Sequence, residues 1–262
     1  MRQINRQALV EQLLPMARAA GSAIMSVYDG SGANVRHKDD ASPVTEADLA
    51  AHRVLGTQLT PLLPDCPVVS EEDSASQVYR RNTGRFWLVD PLDGTKEFIA
   101  GNGEFTVNIA LIEDGHSVLG VVYAPAIDAL YYGGAGLGAF RCIGGQTTAI
   151  KVAAAQAGRA CRVVASKSHL NDATRSLIDC LGEMSLVQAG SSLKFCRVAE
   201  GEADIYPRLA PTCEWDTAAA QAVLEGAGGA VVNLQGLPLR YGKAEVLNPS
   251  FIATRDTALM PA

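Results

Sequence analysis

The feature that most constrains the fold of this chain is an apolar segment that ends on two closely spaced aspartates. Residues 86–89, Phe-Trp-Leu-Val, predict a buried β-strand, and they run directly into residues 90–95, Asp-Pro-Leu-Asp-Gly-Thr. The strand would carry Asp90 to its C-terminal end, where ligand sites of layered α/β folds form. A turn would then bring Asp93 back beside Asp90. Two carboxylates held that close repel each other unless a cation lies between them.

The residues after this turn favour an anion. Gly94 and Thr95 would open a helix whose free N–H groups and dipole suit a phosphate. Carboxylates for a divalent metal, next to amides for an anion, are the arrangement of metal-assisted phosphoryl chemistry. An Asp-Pro turn followed by a capped helix would give the same pattern without any ligand. This segment alone therefore leaves both interpretations open.

Two further acidic clusters occur where an apolar segment meets a polar one. Residues 67–70 predict a strand that runs into Glu71-Glu72-Asp73, and Glu214-Trp215-Asp216 stands at the start of an alanine-rich helix. A solvated loop would explain the first cluster, and an acidic helix N-terminus would explain the second. Three such clusters in one chain nevertheless favour a shared centre for a hard metal ion.

Composition excludes several classes of protein. The chain has 262 residues, of which 48% are hydrophobic, so it can bury a large core. Its net charge of −6 argues against a protein that coats nucleic acid or an anionic membrane. We find no apolar stretch of the roughly 18 residues that a membrane span needs, and no signal peptide. Because we find no export signal and no disulfide-dense cysteine pattern, we expect the six cysteines to be reduced thiols in a cytoplasmic protein.

Apolar periodicity predicts two lobes. Residues 1–150 would form an N-terminal α+β lobe that carries most metal ligands, and residues 151–262 a C-terminal α/β lobe that carries the last one. We expect Pro15 to bend or split the first helix and Pro61 to end the second. The predicted helices cover 9–27, 45–60, 172–180, 192–200 and 215–225, and the predicted strands cover 67–70, 86–89, 105–113, 118–124, 129–132, 162–165 and 203–206.

The acidic motifs together resemble a known family. Residues 90–95, with Glu71-Glu72 upstream and Trp215-Asp216 downstream, are similar to the signature set of the inositol-monophosphatase superfamily of Mg²⁺-dependent, lithium-sensitive phosphatases. The resemblance covers about residues 8–255 and implies a layered αβαβα sandwich. Four further segments resemble the CysQ branch of this superfamily, at residues 39–45, 96–98, 102–110 and 190–196. This branch contains the 3'(2'),5'-bisphosphate nucleotidases.

The resemblance implies a set of metal ligands. Glu71, Asp90 and the backbone carbonyl of Leu92 would bind a first Mg²⁺. Asp90, Asp93 and Asp216 would bind a second. A third and weaker ion would lie near Glu71, which gives two to three ions per active site.

It also implies how the attacking water is activated. Thr95, hydrogen-bonded to Asp48, matches the pair that orients and deprotonates this water, and Glu71 would act with them. A metal lowers the pKa of its bound water, and paired metals stabilise both the attacking and the leaving oxygen of an in-line displacement. No covalent phosphoenzyme is required.

A second group of residues is implied in substrate binding. Lys194 and Arg208 carry the positive charge that a second phosphate needs, although ordinary surface charge would also account for them. Ala210 and Ala220 replace glycines that are common in the family, and we expect these changes to affect fine specificity. The implied substrate contacts are Gly94, Thr95, His169, Ser191, Lys194, Arg208 and Asp216.

The implied activity is Mg²⁺-dependent hydrolysis of the 3'-phosphate of adenosine 3',5'-bisphosphate to AMP and phosphate. The resemblance also implies the sulfated analogue as a further substrate, which would connect the chain to sulfate assimilation. Alternatives are an inositol monophosphatase or other sugar phosphatase, and a non-catalytic regulator that binds nucleotide or Mg²⁺. The expected partner is a small-molecule nucleotide and not nucleic acid. The choice between monomer and homodimer stays open, as does association with the inner face of the cell membrane.

Overall fold

The computed structural model describes residues 4–30, 36–37, 43–155, 158–165 and 171–260. Its helices are α1 (Arg6–Tyr28), α2 (Glu46–Leu62), α3 (Tyr79–Asn82), α4 (Thr95–Ile99), α5 (Asp172–Asp179), α6 (Leu193–Ala199) and α7 (Trp215–Gly226). Its strands are β1 (Arg36–His37), β2 (Pro43–Val44), β3 (Val68–Ser70), β4 (Arg85–Asp93), β5 (Thr106–Glu113), β6 (His116–Ala124), β7 (Ala129–Gly134), β8 (Gly138–Ile143), β9 (Gln146–Ile150), β10 (Cys161–Ala165), β11 (Met184–Gln188), β12 (Ile205–Arg208), β13 (Ala230–Asn233) and β14 (Phe251–Thr254). Short 3-10 helices cover Ser74–Val78, Pro125–Ile127 and Thr257–Leu259.

The described residues form two large sheets and a separate two-stranded antiparallel sheet of β1 and β2. The first has the strand order β3-β4-β5-β6-β7-β8-β9, in which β3 runs parallel to β4 and each later pair is antiparallel. The second has the order β11-β10-β12-β14-β13, with β10 parallel to β11 and β12, and β14 antiparallel to β12 and β13. The meander predicted over β5, β6 and β7 is confirmed, and it continues through β8 and β9, which the sequence did not predict.

Strand β4 shows how the first sheet separates two cores. Its side chains alternate between the two faces of the sheet, as the period of two in a strand requires. Trp87 and Val89 pack in the cluster that contains the apolar faces of α1 and α2, whereas Phe86 and Leu88 pack in the cluster that contains α6 and α7. All four side chains are at most 2% exposed, so the strand that carries Asp90 is fixed on both sides.

Helix α7 lies between the two sheets. A Cβ atom at Gly120 of β6 would lie 2.0 Å from the carbonyl oxygen of Ala219, so only glycine lets α7 come this close to the first sheet. Helix α6 packs beside α7 and against the second sheet, and α5 covers the outer face of that sheet. With α1 and α2 on the outer face of the first sheet, the layers follow the predicted order αβαβα.

Pro15 does not split α1, and Pro61 does not end α2. Helix α1 continues through Pro15, because Leu13 and Ala17 on either side of it are fully buried and packing outweighs one lost hydrogen bond. Helix α2 includes Pro61 in its last turn, where the fixed φ of proline is compatible with a helix. In the ranges described, no helix is both long and apolar enough to cross a membrane.

We propose that the chain passes from its N-terminal to its C-terminal lobe near residues 150 and 151. This boundary rests on the two sheets, because the first sheet ends at Ile150 and the second begins at Cys161. The two lobes share one core, in which α7 packs against β5, β6 and β7 of the first sheet. The interface is therefore large and apolar, which favours a fixed arrangement of the lobes.

A buried carboxylate stabilises the second sheet. Asp204 is 2% exposed, and its Oδ1 accepts hydrogen bonds from Arg159 at 2.9 Å, Arg162 at 3.0 Å and Arg255 at 2.9 Å. Burial raises the pKa of Asp204, but the hydrogen bonds and charge of Arg162 and the charge of Arg159 outweigh it and lower the pKa to about 2. The stabilisation is therefore complete above the unfolded-state pKa near 3.8 and is lost as the pH falls toward 2.

We expect Asp204→Asn to lower the free energy of unfolding by about 3 kcal/mol at pH 7, because it leaves three buried or half-buried arginines without their counter-charge. Urea titration at pH 7 and at pH 2 measures the effect, which should be smaller at the lower pH. Asp179→Asn, at an exposed position on α5, is the control and should leave stability nearly unchanged. An equal loss at both pH values would contradict this account of Asp204.

Candidate metal and phosphate site

Three carboxylates from separate parts of the chain meet at one end of the first sheet. Ligand oxygens of Glu71, Asp90 and Asp216 all lie within 4.8 Å of one another. Glu71 directly follows β3 and Asp90 lies near the end of β4; these strands are parallel, so their C-terminal ends meet at the same edge. The Glu71 amide donates to the Val89 carbonyl at 3.1 Å. Asp216 lies in the first turn of α7, which starts at this edge.

The electrostatics of this cluster fit a divalent cation. Asp90 is 1% exposed, and burial raises its pKa well above the usual value, with the charges of Glu71 and Asp93 adding to the effect. Burial also raises the pKa of Asp216, again with Asp93 and Glu71 adding to it. Ionised carboxylates therefore repel each other here, and a cation among them would remove the repulsion. Carboxylate oxygens are the ligands that Mg²⁺ prefers, so the donor set fits this ion.

The turn after Asp90 depends on an irregular strand pairing and one glycine. The register between β4 and β5 shifts between Asp90 and Asp93, and the Leu92 amide donates to Asp90 Oδ1 at 3.1 Å. Gly94 has a φ of 93°, the left-handed conformation that glycine adopts without strain. Helix α4 begins directly after it at Thr95, as predicted, and is five residues long. The carboxylate of Asp93 faces Ser191, whose hydroxyl donates to Asp93 Oδ2 at 2.5 Å.

Thr95 and Asp48 are in contact. The Thr95 hydroxyl donates to Asp48 Oδ1 at 3.2 Å, and it also lies 3.4 Å from the carbonyl oxygen of Leu92. Asp48 Oδ2 accepts from the Thr45 amide at 2.7 Å and the Thr45 hydroxyl at 2.6 Å, which makes Asp48 part of the capping box of α2. Burial raises the pKa of Asp48 although these hydrogen bonds oppose the rise. The carboxylate is thus held in one orientation beside the Thr95 hydroxyl.

A small cavity with two cations adjoins the carboxylates. Its volume is about 60 Å³, and Asp93 and Asp216 line it together with Lys194 and Arg208. Lys194 is only 7% exposed, so it is not ordinary surface charge, and its Nζ lies 5.6 Å from the centre of the Tyr206 ring. Burial lowers the pKa of Lys194 to about 8, and the charge of Arg208 acts in the same direction.

Arg208 has donor capacity that the protein leaves unused. Its Nη2 donates to the Pro211 carbonyl at 3.3 Å, but the buried Nε has no hydrogen-bond partner within the described part of the chain. A buried guanidinium N–H without an acceptor is costly, and an anion in the adjoining cavity would supply the acceptor. The cavity therefore suits a phosphate or sulfate group.

The remaining predicted contacts fall into two groups. The hydroxyl of Ser191, a non-glycine residue with a φ of 51°, lies 2.6 Å from the Thr106 hydroxyl in addition to its bond with Asp93, so protein groups already surround it. Gly94, Thr95 and Asp216 lie at the carboxylate edge described above. His169 lies outside the described residues.

A buried polar network adjoins the site, and no sequence motif indicated its contacts. Asn108 donates to Ser192 Oγ at 3.0 Å, and Ser192 Oγ donates in turn to the backbone carbonyl of Asp216 at 3.1 Å. The Thr106 hydroxyl donates to Asn108 Oδ1 at 3.0 Å. Thr106 and Asn108 are at most 1% exposed on the buried strand β5. Polar residues inside an otherwise apolar strand are the signal that could have indicated them.

The chain matches one protein family over nearly its whole length. The model of the inositol monophosphatase family matches residues 5–260. This match contains all three acidic segments and both cavity cations, and it confirms the resemblance drawn from the sequence motifs.

Individual relatives agree with this match. The chain is 50% identical to the 3'(2'),5'-bisphosphate nucleotidase CysQ of Salmonella typhimurium over 248 residues, which cover 94% of this chain and 99% of the relative. It is 50% identical to the protein of the same name from Escherichia coli K12, over 93% of this chain and 98% of the relative. The crystal structure of CysQ from Bacteroides thetaiotaomicron superposes with a TM-score of 0.86 at 39% identity, covering 97% of this chain and 100% of that one. The chain therefore belongs to the inositol monophosphatase family.

Proposed function

We propose that this protein is a 3'(2'),5'-bisphosphate nucleotidase that hydrolyses the 3'-phosphate of adenosine 3',5'-bisphosphate, giving AMP and phosphate. We propose the sulfated analogue as a second substrate. The observation that carries the proposal is that Asp93 and Asp216 line the same cavity as Lys194 and Arg208. One phosphate at the carboxylate edge and one at the cations would satisfy both halves of this site. The relatives from Salmonella typhimurium and Escherichia coli K12, each 50% identical to the chain, carry this activity in their names.

The carboxylates divide into two overlapping ligand sets in this proposal. One Mg²⁺ would be held by Glu71, Asp90 and the carbonyl of Leu92. A second would be held by Asp90, Asp93 and Asp216. A third would lie near Glu71. Bound Mg²⁺ supplies a water of lowered pKa and neutralises charge on the phosphoryl oxygens. The raised pKa values of Asp90 and Asp216 support these assignments, because their charged forms need a counter-cation.

Thr95 and Asp48 would direct the attacking water. Since the Thr95 hydroxyl donates to Asp48, its lone pairs are free to accept a proton from a water beside it. As the water oxygen bonds to phosphorus, its proton passes to Thr95 Oγ1 and the Thr95 proton passes to Asp48. The bond between phosphorus and the 3'-oxygen breaks, and the leaving oxygen takes a proton from solvent. Glu71 would contribute by fixing the ion nearest this water.

The rest of the predicted contacts would orient the nucleotide. The first N–H groups of a helix lack acceptors within the helix, so Gly94 and Thr95 would bind the phosphate that is hydrolysed. Lys194 and Arg208 would bind the other phosphate. We assign His169 and Ser191 to the nucleotide site, where Ser191 lines the cavity and its hydroxyl orients Asp93. Asp216 would lie at the junction of the two phosphate sites.

The alternative functions fit the site less well. Inositol 1-phosphate carries only one phosphate. When it is bound, Lys194 and Arg208 would line the cavity without a phosphate to contact. A non-catalytic regulator would not need a water-directing pair, yet Thr95 contacts Asp48 at 3.2 Å and the carboxylates converge. These contacts favour an enzyme for a bisphosphorylated substrate.

We also propose that the protein acts in the cytoplasm. All six cysteines lie in the described part of the chain, where none of them forms a disulfide, and Cys180 is exposed. Reducing compartments keep thiols in this state, whereas secreted proteins convert them into disulfides.

A phosphate-release assay over several substrates tests the proposed activity. We expect adenosine 3',5'-bisphosphate to be hydrolysed with a higher kcat/KM than 3'-AMP or inositol 1-phosphate, since only the bisphosphate engages both cations. Chelation of Mg²⁺ should abolish turnover, and Li⁺ should inhibit it. Faster turnover of inositol 1-phosphate would overturn the assignment. The sulfated analogue belongs in the same panel.

Lys194 gives the reaction a specific pH dependence. Its folded-state pKa is lowered from 10.5 to about 8, so its charge is present below about pH 8 and lost above it. We expect KM for adenosine 3',5'-bisphosphate to rise above that pH, by up to about tenfold per pH unit for one proton. The substrate 3'-AMP, which lacks the second phosphate, is the control and should show a flatter profile.

The variant Lys194→Arg keeps its charge over this range, because a guanidinium does not lose its proton in proteins. It should therefore flatten the profile for the bisphosphate. A profile that stays steep in this variant would show that another group titrates.

A further inference from the structure

A buried ion cluster contains none of the residues assigned above to metal or phosphate binding. It consists of Arg80, Glu214 and Lys243, and we call it the Glu214 ion cluster. The Glu214 side chain is 0% exposed; Oε2 accepts from Arg80 Nη1 at 2.9 Å and from the Gly242 amide at 3.0 Å. Its Oε1 accepts from the Lys243 amide at 3.0 Å and from Lys243 Nζ at 2.6 Å. Every acceptor position of this carboxylate is thus oriented by a donor.

One side of the cluster leads to Glu71. Arg80 Nε donates to Gln77 Oε1 at 2.7 Å, and Gln77 Nε2 donates to the carbonyl oxygen of Ser70 at 3.4 Å. Ser70 immediately precedes Glu71. Three hydrogen bonds therefore connect the Glu214 carboxylate to the peptide that carries one of the metal-binding carboxylates.

The other side leads to Asp216, two residues further along the chain. The backbone carbonyl of Glu214 accepts from the Thr217 amide at 3.3 Å and the Ala218 amide at 3.1 Å, so the backbone that carries the Glu214 side chain is part of the first turn of α7. The Glu214 amide donates to the Val246 carbonyl at 3.0 Å. Movement of Arg80 relative to this turn would break the buried ion pair.

We propose that Glu214 is a positioning residue that holds Glu71 and Asp216 at the spacing required for a divalent cation. The inference rests on the metal centre of the proposed function. Glu71 and Asp216 come from segments far apart in sequence, and their charges repel each other in the absence of a cation. Outer partners that orient metal ligands typically change metal affinity by about 10- to 100-fold when they are removed.

Binding of Mn²⁺ to the chelator-treated protein, followed by electron paramagnetic resonance with Mg²⁺ as competitor, tests this role without substrate. We expect Glu214→Gln to weaken binding by about tenfold or more, because an amide cannot accept from all of these donors. Gln77→Leu breaks the connection to Glu71 and leaves the Arg80–Glu214 pair in place. It should weaken binding severalfold. Asp204→Asn disrupts a comparable buried cluster in the second sheet and should bind Mn²⁺ as the wild type does.

The outcomes separate this inference from the proposed function. If the wild type binds Mn²⁺ and Glu214→Gln binds it with the same affinity, the positioning role is overturned and the proposed metal centre is unaffected. Equal weakening in Asp204→Asn would also overturn it, since general destabilisation would then explain the loss. Absence of Mn²⁺ and Mg²⁺ binding in the wild type would overturn both. If Glu214→Gln does not fold, wild-type affinity in Gln77→Leu overturns the inference.

Discussion

Replacing Asp90 with asparagine should lower kcat/KM for adenosine 3',5'-bisphosphate by about 10³-fold or more. Asp90 is the one residue assigned to both ligand sets, so its loss would weaken the binding of both of these ions. The bound ions would stabilise the charge of the transition state by several kcal/mol, and removing that stabilisation lowers kcat/KM by about 10³-fold. Steady-state phosphate release at saturating Mg²⁺ measures it.

The same variant should stabilise the metal-free protein. Burial and the charges of Glu71 and Asp93 raise the pKa of Asp90, so its ionised form destabilises the folded state at neutral pH. Asparagine has nearly the same shape and can still accept from the Leu92 amide through its oxygen. We therefore expect a higher Tm in chelator for Asp90→Asn than for the wild type, and a lost or reduced response of Tm to Mg²⁺.

Asp179→Asn, which removes one exposed carboxylate on α5, is the matched control and should alter neither activity nor the Mg²⁺ response. A drop in Tm of Asp90→Asn in chelator, or retention of full activity, would contradict a cation-dependent role for Asp90. Loss of activity together with loss of folding would point to a structural role instead.

The sequence predicted the parts of the fold in which local pattern and burial agree. The strand over residues 86–89 and the strands β5 to β7 are continuous apolar segments bounded by turn residues, and they form as expected. Strand β9 was missed because it lies at the edge of the sheet and four of its five residues are exposed, so no apolar pattern marks it. Strands β13 and β14 have only four residues each, and their pairing depends on distant segments.

The site could be predicted only as far as its residues lie in recognisable motifs. Glu71, Asp90 and Asp216 converge within 4.8 Å because the strand order and α7 bring them together, and motif resemblance indicated all three. Glu214 could not be separated from an ordinary acid at a helix N-terminus, because its partner Arg80 is 134 residues away in sequence. Lys194 likewise carried no sign of burial in the sequence.

The second large effect concerns Thr95. We expect Thr95→Val to lower kcat by about 10²- to 10³-fold, because valine keeps the shape of threonine and removes the hydroxyl that would accept the proton of the attacking water. The hydrogen bond to Asp48 Oδ1 at 3.2 Å would also be lost, while the carboxylates near the ions are unchanged. Single-turnover phosphate release at saturating substrate measures the chemical step directly.

A structural role for Thr95 and a role in proton transfer give different results. Proton transfer through the hydroxyl predicts that Thr95→Ser restores kcat to within about tenfold of the wild type and that both variants bind Mn²⁺ normally. Loss of Mn²⁺ affinity in Thr95→Val would instead show that the substitution disturbs the Leu92 carbonyl. This carbonyl lies 3.4 Å from the Thr95 hydroxyl and is assigned to the first ion. If Thr95→Val retained more than a tenth of wild-type kcat, the water would have to lose its proton by another route, and Asp48 would serve α2 as a cap alone.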